Sequence, residues 1–203
     1  MSVPGPLVHA QWRSESATLG MWIFLATEVM FFGVLFFAAF HARIHDPAGY
    51  AAGSHLTHAW LGTINTAILL TSSLTMALGV RASNMGQARA PRWLLRATAA
   101  LGIAFLAVKA AEYSLEWRDG LVPGIRFDYA RPDARGVQSF FYLYFVMTGL
   151  HAVHLAIGIG AVSWISARAA SRDAVEITGL YWHFVDVVWI FLYPVIYLVE
   201  LWR

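Results

Sequence analysis

Residues 181–193 read YWHFVDVVWIFLY and lie near the carboxyl end of a chain of 203 residues. Nearly every side chain in this stretch is apolar or aromatic, yet His183 and Asp186 lie in its middle. A charged side chain that faces lipid at the bilayer centre costs at least about 2.5–3.5 kcal/mol. The stretch therefore predicts a membrane helix whose polar residues face the interior of a helical bundle.

The composition of the whole chain is that of an integral membrane protein. Hydrophobic residues make up 59% and charged residues 13%, whereas soluble domains carry roughly a quarter charged residues. The 14 basic residues barely exceed the 12 acidic ones, which does not favour nucleic acid as a partner. Cysteine is absent, which excludes disulfides, thiolate-ligated haem and cysteine-bound iron–sulfur clusters. The chain is therefore expected to act within a membrane.

Apolar runs long enough to cross a hydrocarbon layer of about 30 Å, at about 1.5 Å per residue, divide the chain. Five spans are predicted at about Leu19–His41, His58–Val80, Trp93–Leu115, Ser139–Ile165 and Gly179–Leu201. We therefore predict an all-α fold, with an amino-terminal segment over residues 1–18 and a five-helix transmembrane domain over residues 19–203. Residues 1–17 lack the apolar core of a cleaved signal peptide, so the first span is expected to remain as a helix.

Basic residues in the connections give the predicted orientation. Arg81, Arg89, Arg92 and Arg96 lie close together with no acidic residue among them, which favours the cytoplasmic side for this connection. Five spans place the two termini on opposite sides. The amino terminus is thus predicted to be cytoplasmic and the carboxyl terminus external. The long connection over residues 116–137 is predicted to be irregular and to cover the outer surface.

Polar residues within the spans recur at helical spacing, which predicts a polar bundle interior. Lys109 can be neutralised by Glu112 or by Glu116, at i,i+3 or i,i+7. Glu28 has no evident cation on its own helix face, and a buried carboxyl group without a cationic partner favours its neutral form. The other spans contribute a stripe each: Asn65 and Ser72 on the second; Tyr144, Thr148, His151 and His154 on the fourth; Glu176, His183, Asp186, Tyr193 and Tyr197 on the last.

On the residues alone, three interpretations of these polar groups stay open. They form hydrogen bonds that hold the helices together. Alternatively, His151, His154 and His183 bind a metal or a b-type haem. A third interpretation is proton movement through Glu28, Glu112, His183 and Asp186, because isolated intramembrane acids mark proton routes.

Five motifs, in the same order on five successive spans, resemble subunit III of the haem–copper respiratory oxidases. They are ATEVMFF around Glu28, INTAILLTSS around Asn65, KAAEY from Lys109 to Tyr113, TGLHAVHLAIG around His151 and His154, and YWHFVDVVWIFLY with Glu176 seven residues before His183. The chain resembles the last five helices of the seven-helix mitochondrial-type subunit, as short bacterial forms do.

The resemblance implies a subunit that carries no redox centre, catalytic residue or metal ligand of its own. It implies direct binding to subunit I, with subunit II in the same complex, haem and copper in those partners, and phospholipid bound to this chain. The complex would be a proton-pumping terminal oxidase of the bacterial cytoplasmic membrane that reduces oxygen to water. This subunit would stabilise subunit I and support proton uptake.

The resemblance also assigns roles to the polar residues. Glu28 matches a membrane-embedded glutamate known for its reaction with carbodiimides, which makes it the candidate for proton handling or for the interface with subunit I. The candidates for structural or lipid contacts are Asn65, Lys109, Glu112, His151, His154, Glu176, His183 and Asp186.

The interpretations within this family differ in the electron donor of the complex. The glutamate of LATEV and the FLY of the last span favour a cytochrome c oxidase over a quinol oxidase. A paralogue associated with nitric oxide reductase is the third interpretation. Outside the family, a small proton-coupled transporter and a b-type cytochrome are the alternatives.

Overall fold

A computed structural model describes residues 6–87, 89–129, 132–168 and 171–198, with side chains from residue 15 onward. In chain order the elements are α1 (Pro6–His45), α2 (Pro47–Leu56), α3 (Ala59–Asn84), α4 (Ala90–Arg118), β1 (Leu121–Val122), β2 (Arg126–Phe127), α5 (Ala134–Ala167) and α6 (Arg172–Tyr197).

Five of these helices are long and apolar enough to cross a membrane: α1 over Glu15–His45, and α3, α4, α5 and α6. The predicted helical membrane bundle is confirmed. The helices extend beyond the predicted spans, since an apolar run marks only the part of a helix that lies in hydrocarbon. Thus α1 begins at Pro6, inside the segment assigned to residues 1–18, and α6 begins at Arg172, seven residues before the predicted Gly179. The predicted end of the last span, Leu201, lies outside the described residues.

Two short elements lie in the connections and were not predicted. The first is α2, whose amino end is capped by the Asp46 Oδ1, which accepts a hydrogen bond from the Gly49 N–H at 2.9 Å; Pro47 occupies its first turn. The second is the antiparallel pair β1–β2 between α4 and α5. Gly120 and Gly124 have φ values of 68° and 79° at this hairpin, a conformation that side chains other than glycine rarely adopt.

The helix α2 follows α1 and is hydrogen-bonded to the carboxyl end of α6. The Tyr50 hydroxyl donates to the Val195 carbonyl oxygen at 3.2 Å, and the Ser54 hydroxyl donates to the Ile196 carbonyl oxygen at 2.7 Å. Both carbonyls lie in the last turn of α6, where backbone carbonyl oxygens have no hydrogen-bond donor within the helix. We call the end of the bundle formed by α2, the β1–β2 hairpin and the carboxyl ends of α4 and α6 the hairpin end.

Glycines of α4 and α5 allow a large aromatic side chain of α6 to pack closely against both helices. Trp182 on α6 is fully buried, and its indole lies against Gly102 of α4 and Gly158 of α5. A Cβ atom at Gly102 would lie 2.8 Å from the Trp182 ring, so only glycine fits there without a shift. Small residues allow this close helix packing within membranes. The first span is the least buried of the five. It packs against α5 and α6 and also contacts α2.

Candidate functional site

A buried ammonium group lies toward the hairpin end, where α4, α5 and α6 meet. The Lys109 Nζ donates hydrogen bonds to Glu112 Oε2 at 3.1 Å, to the Tyr144 hydroxyl at 2.8 Å and to the Tyr197 hydroxyl at 2.7 Å. Lys109 is 2% exposed and Glu112 is 0% exposed. All three ammonium hydrogens therefore have acceptors, as the burial of a charge requires.

Glu112 completes this arrangement. Its Oε1 accepts hydrogen bonds from the Tyr144 hydroxyl at 3.0 Å and from the Tyr197 hydroxyl at 2.6 Å. Of the two carboxyl partners that the spacing allowed for Lys109, the structure pairs it with Glu112, at i,i+3. The pair thus neutralises itself within α4, and the two tyrosines link it to α5 and α6. We call Lys109, Glu112, Glu116, Tyr144 and Tyr197 the Lys109 cluster.

Aromatic rings surround the ammonium group. The distances from the Lys109 Nζ to the ring centroids are 4.4 Å for Tyr144, 5.3 Å for Tyr113, 5.4 Å for Tyr197 and 5.7 Å for Trp189. The negative faces of such rings attract a cation, and the attraction is strongest when the cation has lost its water. The surroundings of Lys109 are therefore those of a protonated amine.

Glu28 on α1 is paired with His154 on α5. The Glu28 Oε2 lies 3.1 Å from the His154 Nε2, and the His154 Nδ1 lies 2.8 Å from the Leu150 carbonyl oxygen. Because a carbonyl oxygen only accepts, Nδ1 carries a hydrogen. One further proton then lies between Glu28 and Nε2, so the pair has no net charge whichever group holds that proton. The sequence pattern of α1 alone did not show this partner, which lies 126 residues away.

The two polar residues of the stretch 181–193 have different environments. The Nδ1 of His183, which is half-buried, lies 2.9 Å from the Ser73 hydroxyl and joins α6 to α3. Asp186 is 4% exposed, and its oxygens have no hydrogen-bond partner among the described residues. His183 and Asp186 therefore do not bond to each other. Glu176, on the same predicted stripe, is exposed near the amino end of α6.

Three further polar side chains are, like Asp186, buried without a hydrogen-bond partner among the described residues: Asn65, Glu116 and His151. Asn65 is 0% and His151 1% exposed. The His151 ring lies between Phe105 and Trp189, with centroid distances of 5.6 Å and 5.2 Å. Buried polar groups nearly always have partners, so these positions are where an internal water or, at the two carboxyl groups, a proton would bind.

Two indole N–H groups were missed as contributors to the polar interior. The Trp182 Nε1 donates to the Ser72 hydroxyl at 3.2 Å, and the Trp189 Nε1 donates to the Thr66 hydroxyl at 3.0 Å. The signal that could have found them is their i,i+7 spacing, which places both rings on one face of α6. Together with His183 and Ser73, they join α6 to α3 along most of its length.

An apolar groove separates α1 from α6 on the membrane-facing surface. One part has a volume of about 350 Å³ and is lined by Phe32, Phe36 and Phe191 among others. The adjoining part has a volume of about 550 Å³ and includes Trp22 and His183 in its lining. The two parts share Val29, Phe184 and Val187, so the groove is continuous along the two helices.

Comparisons with known proteins agree with this architecture. The family model described as cytochrome c oxidase subunit III matches residues 7–201. The cytochrome c oxidase subunit 3 of Thermostichus vulcanus is 33% identical over 94% of this chain and 90% of its own length. The quinol oxidase subunit 3 of Bacillus subtilis is 30% identical over 94% of this chain and 92% of its own length.

A longer relative contains a region like this chain. The heme-copper oxidase subunit I+III of Aeropyrum pernix is 30% identical over 97% of this chain, and the matched region is 24% of that protein. The family model covers all five membrane-spanning helices, and the relatives match them as one continuous region. This chain therefore belongs to the cytochrome c oxidase subunit III family of the haem–copper oxidases.

Proposed function

We propose that this chain is the non-catalytic subunit III of a proton-pumping cytochrome c oxidase, which reduces oxygen to water. The observation that carries the proposal is the 33% identity to a cytochrome c oxidase subunit 3 across nearly the full length of both chains. In this role the chain binds subunit I directly, with subunit II in the same complex. Haem and copper belong to those two subunits.

Direct binding to subunit I is supported by the subunit I+III protein of Aeropyrum pernix, whose name combines the two subunits in one polypeptide. Two proteins that are fused in one organism are commonly neighbours in another. The partly covered first span of this chain leaves membrane-facing surface available for such a neighbour.

The positions of the histidines support the absence of a haem from this chain. His154 bonds to Glu28, His183 bonds to Ser73, and the His151 ring lies between Phe105 and Trp189. Among the residues that the structure describes, no group of three or more histidine, cysteine, aspartate or glutamate side chains could hold a metal ion. This donor set does not fit a haem–copper centre, which needs several histidines around two metals.

Two features support the remaining roles. The groove between α1 and α6 is apolar and open to the membrane, as an acyl chain of a bound phospholipid requires. The Glu28–His154 pair holds one proton close to the membrane-facing surface of α1, which suits a contribution to proton handling at the interface with subunit I. We place the protein in the bacterial cytoplasmic membrane, with a cytoplasmic amino terminus and an external carboxyl terminus.

A quinol oxidase is the second candidate, because the identity to the Bacillus subtilis quinol oxidase subunit 3 is only slightly lower. Purification of the tagged chain from native membranes, followed by oxygen-consumption assays, separates the two. The proposal expects subunits I and II to copurify and reduced cytochrome c to be oxidised. Oxidation of quinol without oxidation of cytochrome c would assign the second candidate, and the absence of any haem-containing partner would contradict both.

A further inference from the structure

Glu116 is the member of the Lys109 cluster without a hydrogen bond. It lies on α4 one turn after Glu112, close to where β1 packs against α4 and α5. Glu116 is 1% exposed, and neither of its carboxyl oxygens forms a hydrogen bond with any of the described residues. Such a group needs an additional ligand, because leaving a carboxylate buried and unpaired is far more costly than burying a bonded one.

The charges of the cluster do not balance if Glu116 is ionised. Glu112 already neutralises Lys109, so an ionised Glu116 would leave one negative charge buried within the bundle. Among the described residues, Lys109 is the only cation that acts on Glu116. The charged or titratable groups facing it are Lys109, Glu112 and Tyr113 on α4, Asp119 just beyond it, Tyr144 on α5 and Tyr197 on α6.

The donor hydrogens around Glu116 are also committed elsewhere. The three of Lys109 go to Glu112, Tyr144 and Tyr197, and the two tyrosine hydroxyls donate to Glu112. The Tyr113 hydroxyl lies 2.6 Å from the Thr148 hydroxyl. Thr148 donates its own hydrogen to the Tyr144 carbonyl oxygen, so Tyr113 must donate to Thr148. An ionised Glu116 would therefore find no uncommitted hydrogen among these side chains of the described residues.

An acceptor, in contrast, is available. The Tyr144 hydroxyl donates one hydrogen bond, to Glu112, and accepts one, from Lys109, which leaves one lone pair unused. Tyr144 is within interaction range of Glu116, although no hydrogen bond joins them in the structure. A carboxylic acid at position 116 can donate to this lone pair after a small side-chain rotation, whereas a carboxylate cannot.

We propose that the Lys109 cluster is a buried proton-binding site, in which Glu116 holds one exchangeable proton as a neutral carboxylic acid that donates to the Tyr144 hydroxyl. A metal cation does not suit the same place. Both oxygens of Glu112 are occupied by hydrogen bonds, so only the two oxygens of Glu116 would be free as ligands, whereas hard cations take about six or more. The site belongs to this chain and is the same whether cytochrome c or quinol supplies the electrons.

Infrared spectroscopy of the purified oxidase complex tests this assignment. The wild type is compared with Glu116→Gln, which keeps the size of the side chain and is neutral, and with Asp119→Asn, which removes an exposed carboxyl group three residues away. Glu116→Gln is expected to assemble and to lose one equivalent of the carbonyl band of a protonated carboxyl group. That band should shift slowly in deuterium oxide, since the site is buried, and it should persist in Asp119→Asn.

The opposite spectrum would overturn the proposal: Glu116→Gln would lose a carboxylate band and keep every band of protonated carboxyl groups. If the glutamine variant does not assemble, Glu116→Met is the second variant, because it has similar length and also carries no charge. Its complex should lack the same carboxylic-acid band. Retention of that band in the Glu116→Met complex would equally show that Glu116 is not its source.

Discussion

Lys109 is a full charge held inside a membrane bundle, and the hydroxyls of Tyr144 and Tyr197 bond to both it and its counter-ion. Removing one member of a buried ion pair leaves the other without compensation, which costs about 3–5 kcal/mol. Lys109→Met should therefore lower the free energy of unfolding by an amount of this order. Thermal denaturation of the purified complex, followed by the loss of this subunit, measures the effect.

The control for this substitution is the double variant Lys109→Met with Glu112→Gln. It removes both charges, and the new amide oxygen can still accept hydrogen bonds from the two tyrosines. Most of the lost stability should return. If the double variant is as unstable as the single one, uncompensated charge is not the reason for the destabilisation.

The contact between Glu28 and His154 joins α1 to α5. In Glu28→Gln the amide N–H can donate to the His154 Nε2, so the link between α1 and α5 is kept with a neutral imidazole. Glu28→Leu loses this bond and leaves a partly buried ring nitrogen unpaired, at a cost of about 1 kcal/mol. Subunit retention in detergent should follow the order wild type, Glu28→Gln, Glu28→Leu. Equal retention of the two variants would show that the pair does not hold the helices together.

Residue spacing in the sequence predicts which side chains can pair within one helix, but it does not predict which side chains pair between helices. Helical spacing limited the partners of Lys109 to Glu112 and Glu116, and the structure pairs it with Glu112. Glu28 and His154 lie on helices that are not consecutive, and the sequence pattern of neither helix indicates which faces are in contact. The same reason explains why the partners of His183 and of the two indoles could not be named in advance.

At the scale of the helices, the contact of Trp182 with Gly102 and Gly158 fixes the separation of α4, α5 and α6. A methyl group at Gly102 would lie 2.8 Å from the Trp182 ring and 2.9 Å from Ile159 Cγ1. Gly102→Ala should therefore destabilise the bundle by about 1–3 kcal/mol through overpacking. Gly160→Ala is the matched control, because its Cβ would meet no atom within 4 Å. Equal melting temperatures for the two variants would show that Gly102 is not in close contact with Trp182.

The attachment of α2 to α6 gives a pH-dependent prediction. Burial raises the pKa of Tyr50 to about 12, despite an opposing effect of Arg43. The folded state thus holds the phenolic proton more tightly than the unfolded state, whose pKa is near 10. The protonated Tyr50 therefore contributes at most about 2–3 kcal/mol to the free energy of unfolding. This contribution is complete below pH 10 and is lost as the pH rises toward 12.

Tyr50→Phe removes this dependence together with the hydrogen bond to Val195. Between pH 9 and pH 11 the melting temperature of the wild type should fall more than that of Tyr50→Phe. Parallel decreases would show that Tyr50 does not ionise on unfolding. The existence of α2 was missed because ten residues, PAGYAAGSHL, show little hydrophobic contrast, although Asp46 followed by Pro47 is a recognisable helix start.

For the whole molecule, the alternation of five spans places the connection between α3 and α4 opposite the hairpin end. The chain contains no cysteine, so single cysteines can report the side of each end. Ile125, in the hairpin, is 76% exposed, and Met85, at the end of α3, is 58% exposed. With an external carboxyl terminus, Ile125→Cys should react with a membrane-impermeant maleimide in intact cells, and Met85→Cys only after permeabilisation. The reverse pattern would invert the proposed orientation.

We expect this chain to be part of a haem-containing oxidase and to carry no redox centre itself. The decisive experiment is to purify the complex through a tag on this chain and to record reduced-minus-oxidised spectra before and after the subunits are separated. Haem bands should be present in the intact complex and absent from the separated chain. A haem band that remains with the separated chain, or an intact preparation without haem, would show that this expectation is wrong.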